Sequence, residues 1–387
     1  MLNFNFSDMR ALTHVLKWTM LLLVWSYLSC DLEKIDETDV VLPVQFSKTL
    51  GLPGENERGA SVLQLAGGGY LVVAENSTCP ADKCLQVYKL DKDGNTEAGW
   101  PKTYSYQTFN KCYPVALAEV PGGGFVIAGH VKSGTNEIDA YAMKIDANGN
   151  VNWQQKYGIA NNPEYFRSVT PTNDGGFAFA GSNSDDYLNF VVKTNGTGDK
   201  TWEKTLPGSG FGVAIHSLGA GGFMMLPGWS GDKVSLLQLT STGNVDKTVQ
   251  FGDANSNMSN DMIPTKDGGW LITGERGFDQ YTEIYLLKVK SDLTKQWEIT
   301  FPDKGWFEAG RALTESSDGS FGILATRELN ILTLIKVDAA GNEKFFKEIG
   351  TGLGYDIDAC SDGGFVITGD DKSNGIFVIK TDKDGNF

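Results

Sequence analysis

A short motif recurs along the chain, and its spacing leaves few folds open. Asp174-Gly175-Gly176-Phe177-Ala178-Phe179-Ala180-Gly181 joins a glycine turn to an apolar strand, and close copies begin at Pro121, Asp267 and Asp362. Weaker copies lie at Gly67-Gly68-Gly69-Tyr70, Gly221-Gly222-Phe223 and Asp318-Gly319-Ser320-Phe321. The leading aromatics of the seven copies are Tyr70, Phe125, Phe177, Phe223, Trp270, Phe321 and Phe365, spaced 55, 52, 46, 47, 51 and 44 residues apart. A repeat of that length, built only of short strand signals, predicts propeller blades, because each unit buries its apolar faces only against its neighbours. The expectation is an all-β, seven-bladed β-propeller with four-stranded antiparallel blades.

Within a unit, strand A precedes the glycine turn and strand B follows it. Strand C resembles residues 141–146 and strand D residues 153–158. Between C and D lies an Asp-x-Asn/Asp-Gly-Asn turn, at 91–95, 146–150 and 382–386. Asn-Gly and Asp-Gly supply the positive φ that tight hairpins require. The same letters open a calcium loop, but the later bidentate Glu and the helical flank of such a loop are missing, so no metal is expected. The strand-C Lys (Gln238 in blade four) lies nine residues before strand D in five of six complete blades, the exception being blade one. The end of strand B to the strand-C position varies from 10 to 15 residues, and the D–A span from 15 to 20. One rim is therefore tight and uniform, and the other irregular, which is where binding is expected on a rigid scaffold. Phe46-Ser47-Lys48-Thr49-Leu50-Gly51 matches the strand-D segment that begins at Trp202. It is expected to complete the last blade and remove an open sheet edge.

Residues 1–29 read as a signal peptide, with Arg10 and Lys17 before the apolar run Met20-Leu21-Leu22-Leu23-Val24-Trp25, which is too short to span a membrane. The run ends at Tyr27-Leu28-Ser29-Cys30, similar to a bacterial lipobox, so Cys30 is the expected lipidation site. Residues 30–42 read as an acidic tether and 43–387 as the propeller. The formal net charge of −15, with no basic stripe, speaks against nucleic acid. In an oxidising compartment the simplest disulfide is Cys79–Cys84, with Cys112 on the same rim, and Cys360 is expected to be a buried thiol.

Candidate chemistry is sparse. The three histidines are His14, in the leader, His130, opening a B–C loop, and His216, in strand A. None has a second histidine nearby, so a triad or a histidine metal site is hard to assemble. Counting back from the leading aromatics, strand A brings Arg167, His216, Asp261, Arg311, Asp356 and Asp358 towards the central channel. These are either solvated charges at the channel mouth or an acid–base constellation of the kind that cleaves glycosides. Aromatics recur on the irregular rim: Tyr113, Tyr165, Trp229, Tyr281, Trp306 and Tyr355 are the ligand-binding candidates.

Through Asp-Gly-Gly-Phe-x-x-x-Gly and Lys-x-Asp-x-x-Gly-Asn-x-x-Trp, residues 43–387 resemble the repeat-propeller lipoproteins of Gram-negative bacteria, often grouped loosely as bulb-type-lectin-like. The repeat is more distantly similar to those of pyrroloquinoline-quinone dehydrogenases and of an outer-membrane assembly propeller. The bulb-lectin sugar motif Gln-x-Asp-x-Asn-x-Val-x-Tyr does not occur, nor does a vicinal Cys pair for the quinone, and no cofactor is expected. The leading expectation is a non-enzymatic, monomeric outer-membrane lipoprotein, on the periplasmic or cell-surface side. It would meet the membrane only through its lipid and bind glycan or an envelope protein on the irregular rim. The alternatives are a glycan-active hydrolase or lyase with acid and base groups at the channel mouth, and an outer-membrane assembly scaffold.

Overall fold

The structure, a computed structural model, describes residues 44–387 apart from 52–56, 77–84, 107–110, 134–136, 159–161, 184–187, 207–213, 229–232, 253–256, 279–280, 302–305 and 372–374. Among these residues there is no helix, and the strands form seven four-stranded antiparallel sheets. The first strand is β1 (Phe46–Leu50). Blade one is β2 (Glu57–Gln64), β3 (Tyr70–Asn76), β4 (Leu85–Leu90) and β5 (Lys102–Tyr104). Blade two is β6 (Lys111–Glu119), β7 (Phe125–Lys132), β8 (Ile138–Ile145) and β9 (Val151–Tyr157). Blade three is β10 (Glu164–Pro171), β11 (Phe177–Asn183), β12 (Leu188–Thr194) and β13 (Lys200–Leu206). Blade four is β14 (Ala214–Ser217), β15 (Phe223–Leu226), β16 (Val234–Leu239) and β17 (Val245–Phe251). Blade five is β18 (Asn257–Pro264), β19 (Trp270–Phe278), β20 (Tyr281–Val289) and β21 (Lys295–Phe301). Blade six is β22 (Ala309–Glu315), β23 (Phe321–Arg327), β24 (Ile331–Val337) and β25 (Glu343–Thr351). Blade seven is β26 (Leu353–Ala359), β27 (Phe365–Asp370) and β28 (Ile376–Lys380), completed by β1 in the order β1-β28-β27-β26.

The seam is antiparallel, from Phe46 opposite Lys380 to Leu50 opposite Ile376. The first strands of successive blades touch one another around the ring and so line its axis. The core lies between blades; at the seam Phe46, Val62, Tyr70, Val72, Val366 and Val378 share one cluster.

The repeat now has a physical explanation. In blade three Gly175 has φ +78°, and a Cβ on Gly176 would collide with the carbonyl of Thr194. Only glycine meets both demands without strain. Asp174 accepts the buried Lys193 ammonium at 2.8 Å, and Lys193 also donates to the Thr194 carbonyl at 2.7 Å. Blades five and seven repeat the pair as Lys288–Asp267 (2.8 Å) and Lys380–Asp362 (2.7 Å). In blade six Ser320 replaces the second glycine and donates its hydroxyl to Asp318, and Lys336 stands 3.6 Å away. Blade four loses both partners together, carrying Ala220 and Gln238.

The strand-D tryptophans reach across to the next blade. Trp153 donates to the Gly196 carbonyl (3.0 Å), Trp202 to Ser241 (3.0 Å) and Trp297 to Ala339 (3.1 Å). A Cβ on Gly198 would lie 2.8 Å from the Trp153 ring, so this turn glycine leaves room for the indole.

Candidate functional site

Six of the seven axial strands carry a β-bulge at the same point of the repeat, between Gly59 and Ser61, Pro114 and Ala116, Phe166 and Ser168, Ser259 and Asp261, Gly310 and Ala312, and Gly354 and Asp356. In blade four, β14 begins beyond that point. The extra residues are Ala60, Val115, Arg167, Asn260, Arg311 and Tyr355. A bulge re-aims its side chain, and all six line one axial cavity of about 370 Å³. Each lies ten positions before its blade's leading aromatic, a periodic column that is present in the sequence.

The next positions fasten the blades. Asp356 on β26 accepts from Ser61 Oγ and, at 2.9 Å, from Val62 N on β2. Asp261 on β18 accepts from Leu313 N on β22 at 2.8 Å, and Ser168 on β10 from Ile215 N on β14 at 3.1 Å. Two residues further along, Asp358 accepts from Gln64 N (2.8 Å), Thr314 from Ala359 N (3.0 Å) and Thr170 from Ser217 N (3.4 Å). His216 breaks this pattern for a chemical reason. The matching residue of the next blade is Pro264, which has no N–H to give. His216 instead donates from Nε2 to the Met262 carbonyl at 2.6 Å.

For Asp261, Asp356 and Asp358 these contacts correct the reading as solvated charges, whereas Arg311 is exposed. Asp261 also accepts from Met262 N, and Asp356 from Ile357 N, so both oxygens of each carboxylate hold backbone amides. Burial pushes Asp261 up to about 6 against those hydrogen bonds. Burial pushes Asp356 up to about 7, with Asp261 and Asp358 adding to the rise. Asp358 is raised by burial, and burial lowers His216. Each oxygen of the two carboxylates thus carries a backbone amide, and Asp261 and Asp356 serve to fasten blades.

Towards the irregular rim the channel wall turns aromatic. The Tyr113 ring stacks on His130 with centroids 4.6 Å apart, and Tyr165 meets His130 edge-on at 4.7 Å. Arg58 lies over Tyr355 at 5.0 Å and pairs with Glu75 at 2.9 Å, while Tyr355 donates to Asp370 at 3.0 Å. Tyr113, Tyr165 and Tyr355 are thus half-buried strand residues of the channel wall. His130 does not open a loop: β7 continues through Lys132, with His130 opposite Ala140. Burial, with Arg167 and Arg58 close by, drives His130 down to about 3, so it is neutral at physiological pH.

A second feature lies on the irregular rim at blades five and six. Tyr281 is 59% exposed, Trp306 55%, Phe307 38% and Leu329 63%, high values for large apolar side chains. Trp306, Phe307, Glu328 and Leu329 line a concavity of about 380 Å³, and Tyr281 meets Trp306 edge-on at 6.0 Å. The surface is held rather than loose. Glu328 N donates to the Trp306 carbonyl at 2.9 Å, and the buried Arg327 pairs with Glu308 and Glu348, each at 2.9 Å. Phe307, Glu328 and Leu329 adopt positive φ of 56°, 47° and 68°, which is uncommon for non-glycine residues and concentrates at functional surfaces. Leu329 joins the site beyond the rim aromatics legible in the sequence, among them Phe307; the short, non-repeating Glu328-Leu329-Asn330 turn was the available signal.

Trp229, Cys30, Cys79 and Cys84 lie outside the described residues. Cys112 is buried in the core between blades one and two. The buried Cys360 thiol follows β26, and burial pushes it up to about 12.

No protein-family model and no curated protein matches the sequence. Among solved structures the chain is similar to the β-propeller domain of Myceliophteria thermophila Cps50 (Swd1), at 11% identity and a TM-score of 0.57, covering 87% of this chain and 99% of that one. It is also similar to the C-terminal WD40 domain of Sif2, at 11% identity and a TM-score of 0.53, with coverage of 87% and 99%. Likeness at this identity establishes the shared propeller fold.

Proposed function

We propose that this propeller is a non-enzymatic binding module that docks a protein partner on its irregular rim. The observation that carries the reading is the solvent-facing group of Tyr281, Trp306, Phe307 and Leu329 around a concavity, fixed from beneath by the Arg327 ion pairs. Preorganised aromatic anchors of this kind dominate binding energy at protein interfaces. A glycan site combines an aromatic platform with several polar groups, whereas among the described residues Glu328 is the charged side chain lining the concavity, which favours protein over glycan. The backbone-bound carboxylates of the channel weigh against the hydrolase reading.

The lipobox-like Ser29-Cys30 supports display on the outer membrane through an acylated Cys30 and the acidic tether. Cys30→Ala is expected to abolish acyl labelling and release the protein from membranes; membrane retention without labelling would refute the anchor. For the rim, wild type, Trp306→Ala and the opposite-rim variant Asn148→Ala would be compared by cross-linking in envelopes and on a glycan array. Trp306→Ala is expected to weaken capture of the cross-linked protein at least tenfold, with Asn148→Ala unchanged. Array binding lost in Trp306→Ala, without a cross-linked protein, would assign the rim to glycan. Capture indifferent to Trp306 and lost in Asn148→Ala would place binding on the other face.

A further inference from the structure

Arg167 is a half-buried bulge residue whose charge is not matched by a carboxylate among the described residues. Its Nε is buried with no hydrogen-bond partner. Burial lowers its pKa, and the neighbour acting the other way is a tyrosine, Tyr165. Its unneutralised charge is felt next door, where it helps to hold His130 neutral. Burying part of a guanidinium with nothing opposite forfeits some of its hydration, a fraction of the several kcal/mol, roughly, that a fully buried ion would cost. The channel's own carboxylates do not pair with it: Asp261 and Asp356 accept instead from the amides of Met262, Leu313, Ile357 and Val62. Arg311 takes the same bulge position in β22 and lines the same cavity of about 370 Å³. Beside Arg167, blade two offers Val115, Ala116 and Leu117, an apolar wall.

A planar fork of N–H donors matches an oxyanion such as carboxylate or phosphate, and a cavity of a few hundred Å³ suits a small molecule. We infer that the central channel binds a small organic anion, its carboxylate or phosphate group held by Arg167 and its apolar body set against Val115 and Leu117. Arg311 supplies a second cation to the same cavity. This site is separate from the aromatic rim and stands whether or not the rim binds protein.

The test uses the full chain at constant ionic strength set by chloride, titrated with inorganic phosphate, acetate and phenylacetate and followed by thermal shift and calorimetry. At least one of the three is expected to raise Tm saturably. Arg167→Gln should weaken that probe at least tenfold, with Arg311→Gln weakening it less and Asn148→Ala not at all. A response to phosphate alone assigns the phosphate group, and a stronger response to phenylacetate than to acetate assigns the carboxylate with an apolar body. No saturable response to any probe, or equal affinity in Arg167→Gln, overturns the proposal. Arg167→Met guards against a mere folding effect. Without oxyanions it should melt at or above wild type, because it removes an uncompensated charge. A drop of several degrees would mean that the guanidinium already has its partner within the protein, and would overturn the argument as well.

Discussion

At the scale of single residues, the same side chain does opposite electrostatic work at two depths. Asp174, on the outer turn, is held at about 2 by hydrogen bonds from Lys193 and Thr172, so the fold favours its ionised form. Asp356, on the channel wall, is pushed to about 7 by burial, so the fold favours its protonated form. An unfolded aspartate titrates near ~3.9. The contribution of Asp356 to stability is therefore full below about pH 4 and is lost as pH rises through about 7. Thermal melts between pH 4 and 8 should show wild type losing stability relative to Asp356→Asn across that window, by roughly a few kcal/mol at most, about 1.4 for each unit of pKa difference. A difference that is constant with pH, or that grows with it, would contradict the assignment. The role of Asp356 was half legible in the sequence. Its place in the periodic column nine before Phe365 pointed to the channel, but that its oxygens would be claimed by the next blade depended on inter-blade geometry that no single repeat displays.

At the scale of the strand and turn, six of the seven blade junctions are seated by an aromatic knob and a glycine socket, the exception being blade four on blade five, where Lys247 and Leu293 take those places. At the seam the knob is Phe46 and the socket Gly94, whose φ is +78° and whose added Cβ would lie 2.7 Å from the Phe46 ring. Gly94→Ala combines backbone strain with a clash and is expected to cost more than about 1–3 kcal/mol. Gly67→Ala, with no heavy atom nearby and ordinary backbone, should stay within about 0.5 kcal/mol. Denaturant melts of the two variants make the comparison, and similar midpoints would sink the knob-and-socket account. Strand identity, blade number and the seam were readable from spacing because glycine turns and leading aromatics recur with the fold's own period. The bulges were hidden, since one extra residue leaves the alternation on either side intact, and so was the extension of β7 through His130, because a glycine and a histidine imitate a strand end.

At the scale of the whole molecule, two rims share one frame. One is a row of short turns fixed by their own Asp and Asn side chains; in blade two Asp146 accepts from Asn148 N and Asn150 N, both at 2.8 Å. The other carries the exposed aromatics and the mouth of the channel. The division between them was legible from loop lengths, whereas the chemistry on the irregular side was not, because side chains from three or more blades converge there. Ring integrity rests on β1. Deleting residues 44–50 should lower Tm by more than about 10 °C, or drive self-association through the bared edge of β28, whereas deleting 31–38 should do neither. Equal melting and equal elution of the two deletions would show that the seam contributes little. The seam also sets an order of events during biosynthesis. A ribosome makes β1 first and β28 last of all the strands, so the opening strand has no partner until nearly every other strand has been made. Through that interval Phe46 and Leu50 remain uncovered, and the segment behaves as a client for whatever holdase escorts the nascent chain. The ring is finished by its oldest strand.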